Sequence, residues 1–179
     1  MSAVGSRVVF RTATAARTEI KELLVGVLAA ELVAPSRRIW LVSPWLADID
    51  LLDNRAAAFR GIGPGWGRRV IRLFDVLGEL TRRGTDVIVA TRPGAESDGT
   101  LAALRRAVGE GPAAARLHCE TRAQLHTKGL LGDDYCISGS MNFTRNGIEH
   151  LDEVVTYLTD PAQVGALRIE FGQEYGGAS

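Results

Sequence analysis

The chain has 179 residues, of which 46% are hydrophobic and 23% are charged, and its 21 basic residues balance its 21 acidic ones. These values are typical of one soluble globular domain and give no overall positive field for nucleic acid. No apolar run approaches the roughly 20 residues that span a bilayer, and the N-terminal charges do not fit a signal peptide, so we expect a cytoplasmic protein without a membrane partner. The two cysteines are too few for a disulfide framework and lack the spacing of a metal site, so we expect no cofactor.

Helices and strands are expected to alternate along the first half of the chain. Apolar residues at helical spacing predict the first helix, and a buried apolar run that ends at Ser43-Pro44-Trp45 predicts the first strand. A glycine-rich loop lacks the spacing of a phosphate-binding loop, so it is interpreted as a surface loop or an active-site rim. In chain order, the predicted segments are a helix at 14–32, a strand at 38–43, a mixed segment at 48–67 with the glycine-rich loop at 61–67, a helix at 68–83 and a strand at 86–91.

The second half of the chain is predicted to be richer in strands. Ser97 or Asp98 can cap the next helix, and Asp160-Pro161 is typical of a helix start. In chain order, the predicted segments are a helix at 97–108, strands at 115–120, 125–131, 135–138 and 153–158, and a terminal helix from 160–161. Helices that alternate with strands and precede a hairpin predict an α/β layered sandwich, in which helices flank a mixed β-sheet. Since no linker or repeat divides the chain, residues 1–179 are interpreted as a single domain.

The candidate catalytic side chains are concentrated in residues 125–144, LHTKGLLGDDYCISGSMNFT. On a strand, alternate residues face the same way, so His126 and Lys128 are expected to share one face. An imidazole can attack phosphorus, and an ammonium group can hold phosphate oxygens. Lys128 is also one of only two lysines in the chain. This segment therefore predicts phosphoryl transfer.

The same segment resembles the HKD motif of the phospholipase D superfamily, which has the pattern H-x-K-x4-D followed by G-S-x-N. A glutamate at the start of the next strand completes the likeness. The matching residues are His126, Lys128, Asp133, Gly139, Ser140, Asn142 and Glu153. With its continuation Phe143-Thr144, the segment is similar to the small single-motif bacterial nucleases of that superfamily. The resemblance implies a phospholipase D-like layered sandwich.

One interval departs from the family pattern. The stretch from Asp133 to Gly139 is one residue shorter than usual, and a tight hairpin at residues 132–134 would absorb the difference because Gly and Asp suit such turns. It stays open whether Asp133 or Asp134 takes the role of the family's aspartate, and Asp133 is favoured.

The resemblance also implies a mechanism that needs no metal. One histidine attacks the phosphodiester to form a phosphohistidine, and a second histidine protonates the leaving oxygen. His126 would be the nucleophile or the general acid. Lys128 and Asn142 would hold the phosphate, and Ser140 would support the loop or the phosphate. Glu153 would hydrogen-bond the other imidazole nitrogen and so orient the ring.

This mechanism requires two motifs, and the chain has one. Neither His118 nor His150 is followed two residues later by a lysine. The resemblance therefore implies a homodimer, in which two copies of segment 125–144 meet at a twofold axis and build one composite site.

The expected function is that of a metal-independent phosphodiesterase that cleaves nucleic acid, with DNA favoured over RNA. Similarity to the phospholipase D-like components of restriction and phage-defence systems implies that other subunits of a defence complex are candidate partners. Two alternatives stay open. One is a phospholipid phosphodiesterase or phosphatidyltransferase, and the other is a non-catalytic family member that binds nucleic acid or serves as a scaffold.

Overall fold

The computed structural model describes residues 5–11 and 19–176. Within these residues the elements are β1 (Ser6–Arg11), α1 (Glu19–Val33), β2 (Arg38–Val42), β3 (Asp50–Asp53), β4 (Val70–Arg72), α2 (Leu73–Arg82), β5 (Asp86–Thr91), α3 (Ala95–Val108), β6 (Leu117–Thr121), β7 (Gly129–Leu131), β8 (Cys136–Gly139), α4 (Arg145–Glu149), β9 (Glu153–Leu158) and α5 (Pro161–Tyr175). A 3₁₀-helix (Gly111–Arg116) precedes β6. None of the described helices combines the length and apolarity needed to cross a membrane.

Seven of the described strands form one mixed sheet in the order β1-β9-β8-β7-β2-β5-β6, and β3 pairs with β4 in a separate ribbon. β2, β5 and β6 run parallel, whereas the other neighbouring strands are antiparallel. The direction of pairing therefore changes at β2, which is parallel to β5 and antiparallel to β7. The predicted α/β class with a mixed sheet is confirmed.

The core lies on both faces of this sheet because side chains alternate along each buried strand. In β2, Ile39 and Leu41 belong to the larger hydrophobic cluster, together with apolar residues of α1, α2 and α3. Trp40 and Val42 lie on the opposite face and join a second cluster with residues of α5. Helices thus cover both faces of the sheet, and the ends of its strands are the parts that stay accessible to a ligand.

Most predicted elements are confirmed. β5 and β9 occupy the predicted ranges 86–91 and 153–158. α5 begins where predicted because Asp160 accepts a 2.9 Å hydrogen bond from the Gln163 amide. β2, β6, β8 and α3 differ from their predicted bounds by one or two residues. For α1, the predicted residues 14–18 lie outside the described part of the chain.

The prediction of a helix at residues 68–83 is wrong in part. Segment 48–67 contains β3, and the helix predicted from residue 68 begins only at Leu73. Val70 and Ile71 belong to β4, whose pairing with β3 places Ile71 in the core. β-branched side chains suit a strand, and pairing with a distant segment overrides the local helical periodicity. β1 and α4 had no counterpart among the predicted elements.

The predicted strand 125–131 is wrong in its first half. β7 is limited to Gly129–Leu131, and residues 125–128 lie in an irregular segment. The physical reason is the loss of a partner strand, since β2 pairs with β7 only as far as Val42 opposite Gly129. The chain then leaves the sheet at Ser43-Pro44, where proline has no amide hydrogen for a ladder bond. His126 and Lys128 therefore do not share the face of a strand.

Candidate active site

One edge of the sheet collects the chemically active residues. The carboxyl ends of β2, β5, β6 and β8 meet there with the amino ends of β7 and β9, as the pairings of Val42 with Ala90 and Gly129 and of Gly139 with Val155 require. We call this edge the site edge. The residues at or next to these strand ends are Ser43, Trp45, Arg92, His126, Lys128, Ser140, Asn142 and Glu153.

Lys128 lies directly before β7, next to the Gly139 end of β8. Its backbone oxygen accepts a 3.4 Å hydrogen bond from the Gly139 amide, and its Nζ donates to the backbone oxygen of His126 at 2.9 Å. A hydrogen bond between an ammonium group and an anion is stronger than one to a neutral carbonyl. The side chain therefore lies beside His126, and an anionic ligand would be a stronger partner for it than this carbonyl.

His126 is exposed, and its imidazole lies against the guanidinium of Arg92. Nη2 of Arg92 is 3.3 Å from Nδ1 and 3.0 Å from Nε2, while Nε of Arg92 donates to the Leu125 oxygen at 2.8 Å. The bonding directions of the two ring nitrogens diverge in the ring plane, so one donor cannot align with both. We therefore interpret the contact as a guanidinium stacked on the imidazole. In this arrangement Arg92 does not occupy the in-plane bonding direction of either ring nitrogen.

Arg92 is a site residue that sequence reasoning missed. It directly follows β5, and its guanidinium carbon lies 5.3 Å from the ring centroid of Trp45. The signal that could have found it is topological. Ligands of α/β sheets bind outside the carboxyl ends of the strands, where the direction of the connections changes, and β5 is the parallel neighbour of β2 at that point.

Ser140 and Glu153 are held together beside the end of β8. The Ser140 hydroxyl donates to Oε2 of Glu153 and accepts from the Val154 amide at 3.0 Å. Gly139 is required next to them because a Cβ at that position would overlap the carbonyl oxygen of Val154. Glu153 is buried, and its described hydrogen bond joins it to Ser140 and not to an imidazole. Its role in orienting a histidine stays a prediction.

Asn142 lies beside Ser43, the buried residue that follows β2. Oγ of Ser43 donates to the Trp45 oxygen at 2.7 Å, accepts from the Phe143 amide at 3.2 Å, and is 3.4 Å from Oδ1 of Asn142. Because the single hydroxyl proton serves the shorter bond, the contact with Asn142 is weak. Ser43 thus joins the end of β2 to the loop after β8 through the Phe143 amide, next to Asn142.

The structure does not bring Asp133 to the site edge. It lies beyond the carboxyl end of β7, in the predicted hairpin, which is closed by a 3.0 Å bond from the Gly132 amide to the Tyr135 oxygen. Lys128 lies before the amino end of the same strand, so the length of β7 separates the two side chains. Asp133, the residue favoured for the role of the family's aspartate, therefore lies away from Lys128, and a catalytic role for it stays a prediction.

The contacts of Asp133 support a structural role. One carboxylate oxygen accepts from the Arg37 amide at 2.8 Å, and the other is 2.9 Å from Nη2 of Arg168. The Asp133 amide donates to Oγ of Ser36 at 2.9 Å. Asp134 is exposed and has none of these contacts. The carboxylate that ties the hairpin to β2 and α5 is therefore that of Asp133.

The charges at the site edge differ from those elsewhere. Many arginines are paired with carboxylates, including Arg69–Asp75, Arg72–Asp50, Arg82–Glu79, Arg83–Glu79, Arg122–Glu174 and Arg145–Glu149. Among residues 5–11 and 19–176, Arg92 and Lys128 form no ion pair with a carboxylate. Two such cations beside an imidazole suit an anionic ligand. No group of three His, Cys, Asp or Glu side chains in the same two ranges could hold a metal ion.

The comparison with protein families shows the family of the chain. The family model described as "Cardiolipin synthase, PLD-like domain" matches residues 69–175, more than half of the chain, and includes all of segment 125–144. The chain belongs to the phospholipase D-like family. The family resemblance of the sequence is thereby confirmed, whereas no curated protein matched the chain.

Solved structures share this phospholipase D-like fold. Nuc from Salmonella typhimurium, a phospholipase D family member, is 16% identical with a TM-score of 0.60, and the match covers 96% of this chain and 93% of Nuc. NucT from Helicobacter pylori is 12% identical with a TM-score of 0.58, and 96% of each chain is covered. A phosphatidylserine synthase from Haemophilus influenzae is 14% identical with a TM-score of 0.55, with 96% of this chain but 37% of the synthase covered. At such identities the likeness shows the fold alone, and the expected layered sandwich is confirmed.

Proposed function

We propose that this protein is a metal-independent phosphodiesterase that cleaves nucleic acid, with DNA favoured over RNA, through a phosphohistidine on His126. The observation that carries the proposal is the position of His126 beside Lys128 and Arg92, two cations without carboxylate partners in the described part of the chain. Both cations would hold a phosphodiester while the imidazole attacks it. Membership of the phospholipase D-like family supports this chemistry.

The proposed reaction has two steps. In the first, a ring nitrogen of His126 forms a bond to phosphorus, and the displaced oxygen takes a proton from a second imidazole. In the second, water attacks the phosphohistidine, gives a proton to that second imidazole and releases His126. Lys128 and Asn142 hold the phosphate oxygens as negative charge develops. Ser140 keeps its loop in place, and Glu153 is proposed to orient an imidazole.

The second imidazole is proposed to come from another copy of the chain. His118 lies in β6 and His150 follows α4, and neither belongs to the residues that the site edge collects. A homodimer with a twofold axis near the site edge would supply a second His126 with its own Lys128. The chain covers nearly the whole length of Nuc and NucT, which supports a unit built around one motif.

Dimer chemistry is testable by mixing subunits. Wild-type protein and His126→Ala protein are co-expressed at several ratios, and light scattering measures the oligomeric state. If each site needs both histidines, activity falls with the square of the wild-type fraction. A linear fall, or full activity in a strict monomer, would contradict the composite site.

Cleavage itself is tested with single-stranded DNA, duplex DNA, RNA and a phospholipid, each with and without EDTA. We expect DNA cleavage that resists EDTA and is lost in His126→Ala, because no other group in the site can form the phosphohistidine. His118→Ala is the matched control, since it removes an exposed imidazole outside the site edge. Activity that requires a metal ion and survives His126→Ala would overturn the proposal.

Phosphatidyl transfer is the second candidate function. The description of the family model and the phosphatidylserine synthase fold favour it. Against it, the match covers 37% of the synthase but 93% of Nuc. In the assay above, release of the phospholipid head group without DNA cleavage would favour this candidate.

We also propose, from the sequence resemblance, that the protein is a subunit of a restriction or phage-defence complex. The test of this proposal is the plating efficiency of phage on cells that carry the gene. We expect protection that is lost with His126→Ala, and equal plating in all strains would contradict the defence role.

A further inference from the structure

Trp45 differs from the other tryptophans of the chain in its exposure. Trp40 and Trp66 are buried, at 2% and 6% exposed, whereas Trp45 is 49% exposed. A single exposed aromatic residue needs no explanation by itself. The position of Trp45 is what gives it meaning, because it follows β2 at the site edge, in the same group of residues as His126.

The main chain beneath Trp45 is fixed from several sides. Its carbonyl oxygen accepts from Oγ of Ser43 at 2.7 Å, and the preceding Pro44 oxygen accepts from Oγ1 of Thr91 at 3.1 Å and from the Arg92 amide at 3.4 Å. The next residue, Leu46, is bridged to the loop after β8. An exposed indole on an anchored backbone loses little conformational entropy when it binds a ligand.

Arg92 links this indole to the histidine. Its guanidinium carbon lies 5.3 Å from the Trp45 ring centroid, while Nη2 of the same group lies 3.0 Å from Nε2 of His126. Only one arginine side chain therefore separates the indole from the imidazole. The guanidinium covers one side of the indole, and nearly half of the residue's surface stays open.

We propose that Trp45 stacks on an unpaired base while Arg92 holds the neighbouring phosphate, so that this site selects single-stranded DNA. The inference rests on the proposed phosphodiesterase function and adds a substrate class to it. Aromatic side chains stack on the bases of single strands in a sequence-tolerant way, whereas the bases of a duplex are covered by their neighbours. A phospholipid carries no base, so the same pair would not favour it.

Binding is measured first, in a His126→Ala background that prevents turnover. A short oligothymidylate is expected to quench tryptophan fluorescence, because Trp45 is the exposed indole among the three. Trp45→Ala should abolish the quenching and weaken binding of a labelled single strand by about 5- to 150-fold, the range for the loss of one stacked base. Trp45→Phe should retain most of the affinity, and the affinity for a duplex of the same sequence should change little.

Ile169→Ala is the matched control, because it truncates another exposed apolar side chain, 63% exposed, on α5. It should leave binding of the single strand unchanged. Thermal melting of each variant checks that the fold is intact. Equal weakening of single-strand and duplex binding by Trp45→Ala would overturn the proposal, as would unchanged fluorescence on addition of the single strand.

Kinetics then separate this proposal from the proposed cleavage reaction. In the active protein, Trp45→Ala should raise KM more for a normal single strand than for an abasic strand of the same length. Arg92→Lys should raise KM for both strands, because both carry the phosphate that Arg92 is proposed to hold. Equal losses on the two strands would contradict base stacking. If the wild type cleaves neither strand but the fluorescence result holds, the cleavage proposal fails and the stacking proposal stands.

Discussion

The two ends of strand β7 make different use of charge. Before its amino end, Lys128 lies with Arg92 beside His126, and neither cation has a carboxylate partner in the described part of the chain. Beyond its carboxyl end, the carboxylate of Asp133 is paired with the Arg168 guanidinium at 2.9 Å and accepts a hydrogen bond from the Arg37 amide at 2.8 Å. The unpaired cations at the first end suit the binding of an anionic ligand, whereas the paired carboxylate at the second end stabilises the fold.

A buried network strengthens the second end. Oγ of Ser36 donates to Glu31 at 2.6 Å and accepts from the Asp133 amide at 2.9 Å, while the Ser36 amide donates to Glu31 at 2.7 Å. In the motif, the residues between Lys128 and Asp133 include the whole of β7, so the two side chains lie at opposite ends of this strand. A contiguous motif in sequence divides here into a site at one end and a structural anchor at the other.

Removing Lys128 is expected to have the largest effect. Lys128→Ala should lower kcat on DNA by about 10²- to 10³-fold, since it removes a preorganised donor to the charge that develops on the phosphate. Its melting temperature should stay close to that of the wild type. The control is Lys21→Ala, which removes the other lysine, paired with Glu149 at 2.7 Å. Equal losses of activity in both variants would show that the effect does not depend on the position of Lys128 at the site edge.

Removing Asp133 should lower stability and leave kcat nearly unchanged, which is the opposite of the effect expected for Lys128. Asp133→Ala is expected to lower the free energy of unfolding by about 1–3 kcal/mol, because the Arg37 amide loses its acceptor and the Arg168 guanidinium loses its ion-pair partner. The kcat of the folded protein should change little. Urea unfolding and steady-state kinetics measure the two quantities, with exposed Asp134→Ala as the matched control. A large loss of kcat without loss of stability would instead indicate a catalytic role for Asp133.

The smallest expected effect is a pH dependence at the structural end. Burial raises the pKa of Glu31 above its ordinary value of 4.5, and the hydrogen bonds from Ser36 offset only part of this shift. A raised pKa in the folded state means that the stabilising contribution is present at low pH and is lost as pH rises through the folded value. The free energy of unfolding should therefore fall with rising pH above 4.5, and this part of the slope should vanish in Glu31→Gln. Identical slopes in the two proteins would exclude Glu31 as the source.

Local pattern was enough to predict much of the fold. β5 and β9 have the predicted bounds, and α5 begins at its predicted Asp160 cap. The failures have a common physical cause, which is a partner strand distant in sequence. Pairing with β3 turned Val70–Arg72 into a strand, and the departure of β2 from the sheet left residues 125–128 irregular.

By itself, the sequence determined the family and the residues at fixed offsets around His126, because side-chain identity and short spacing are local properties. Only the tertiary structure decided which of them share a site. It removed Asp133 from the site edge and added Arg92 and Trp45, through the parallel pairing of β2 with β5. No local pattern encodes that pairing. The contact between Arg92 and His126 therefore exists only once the sheet has formed.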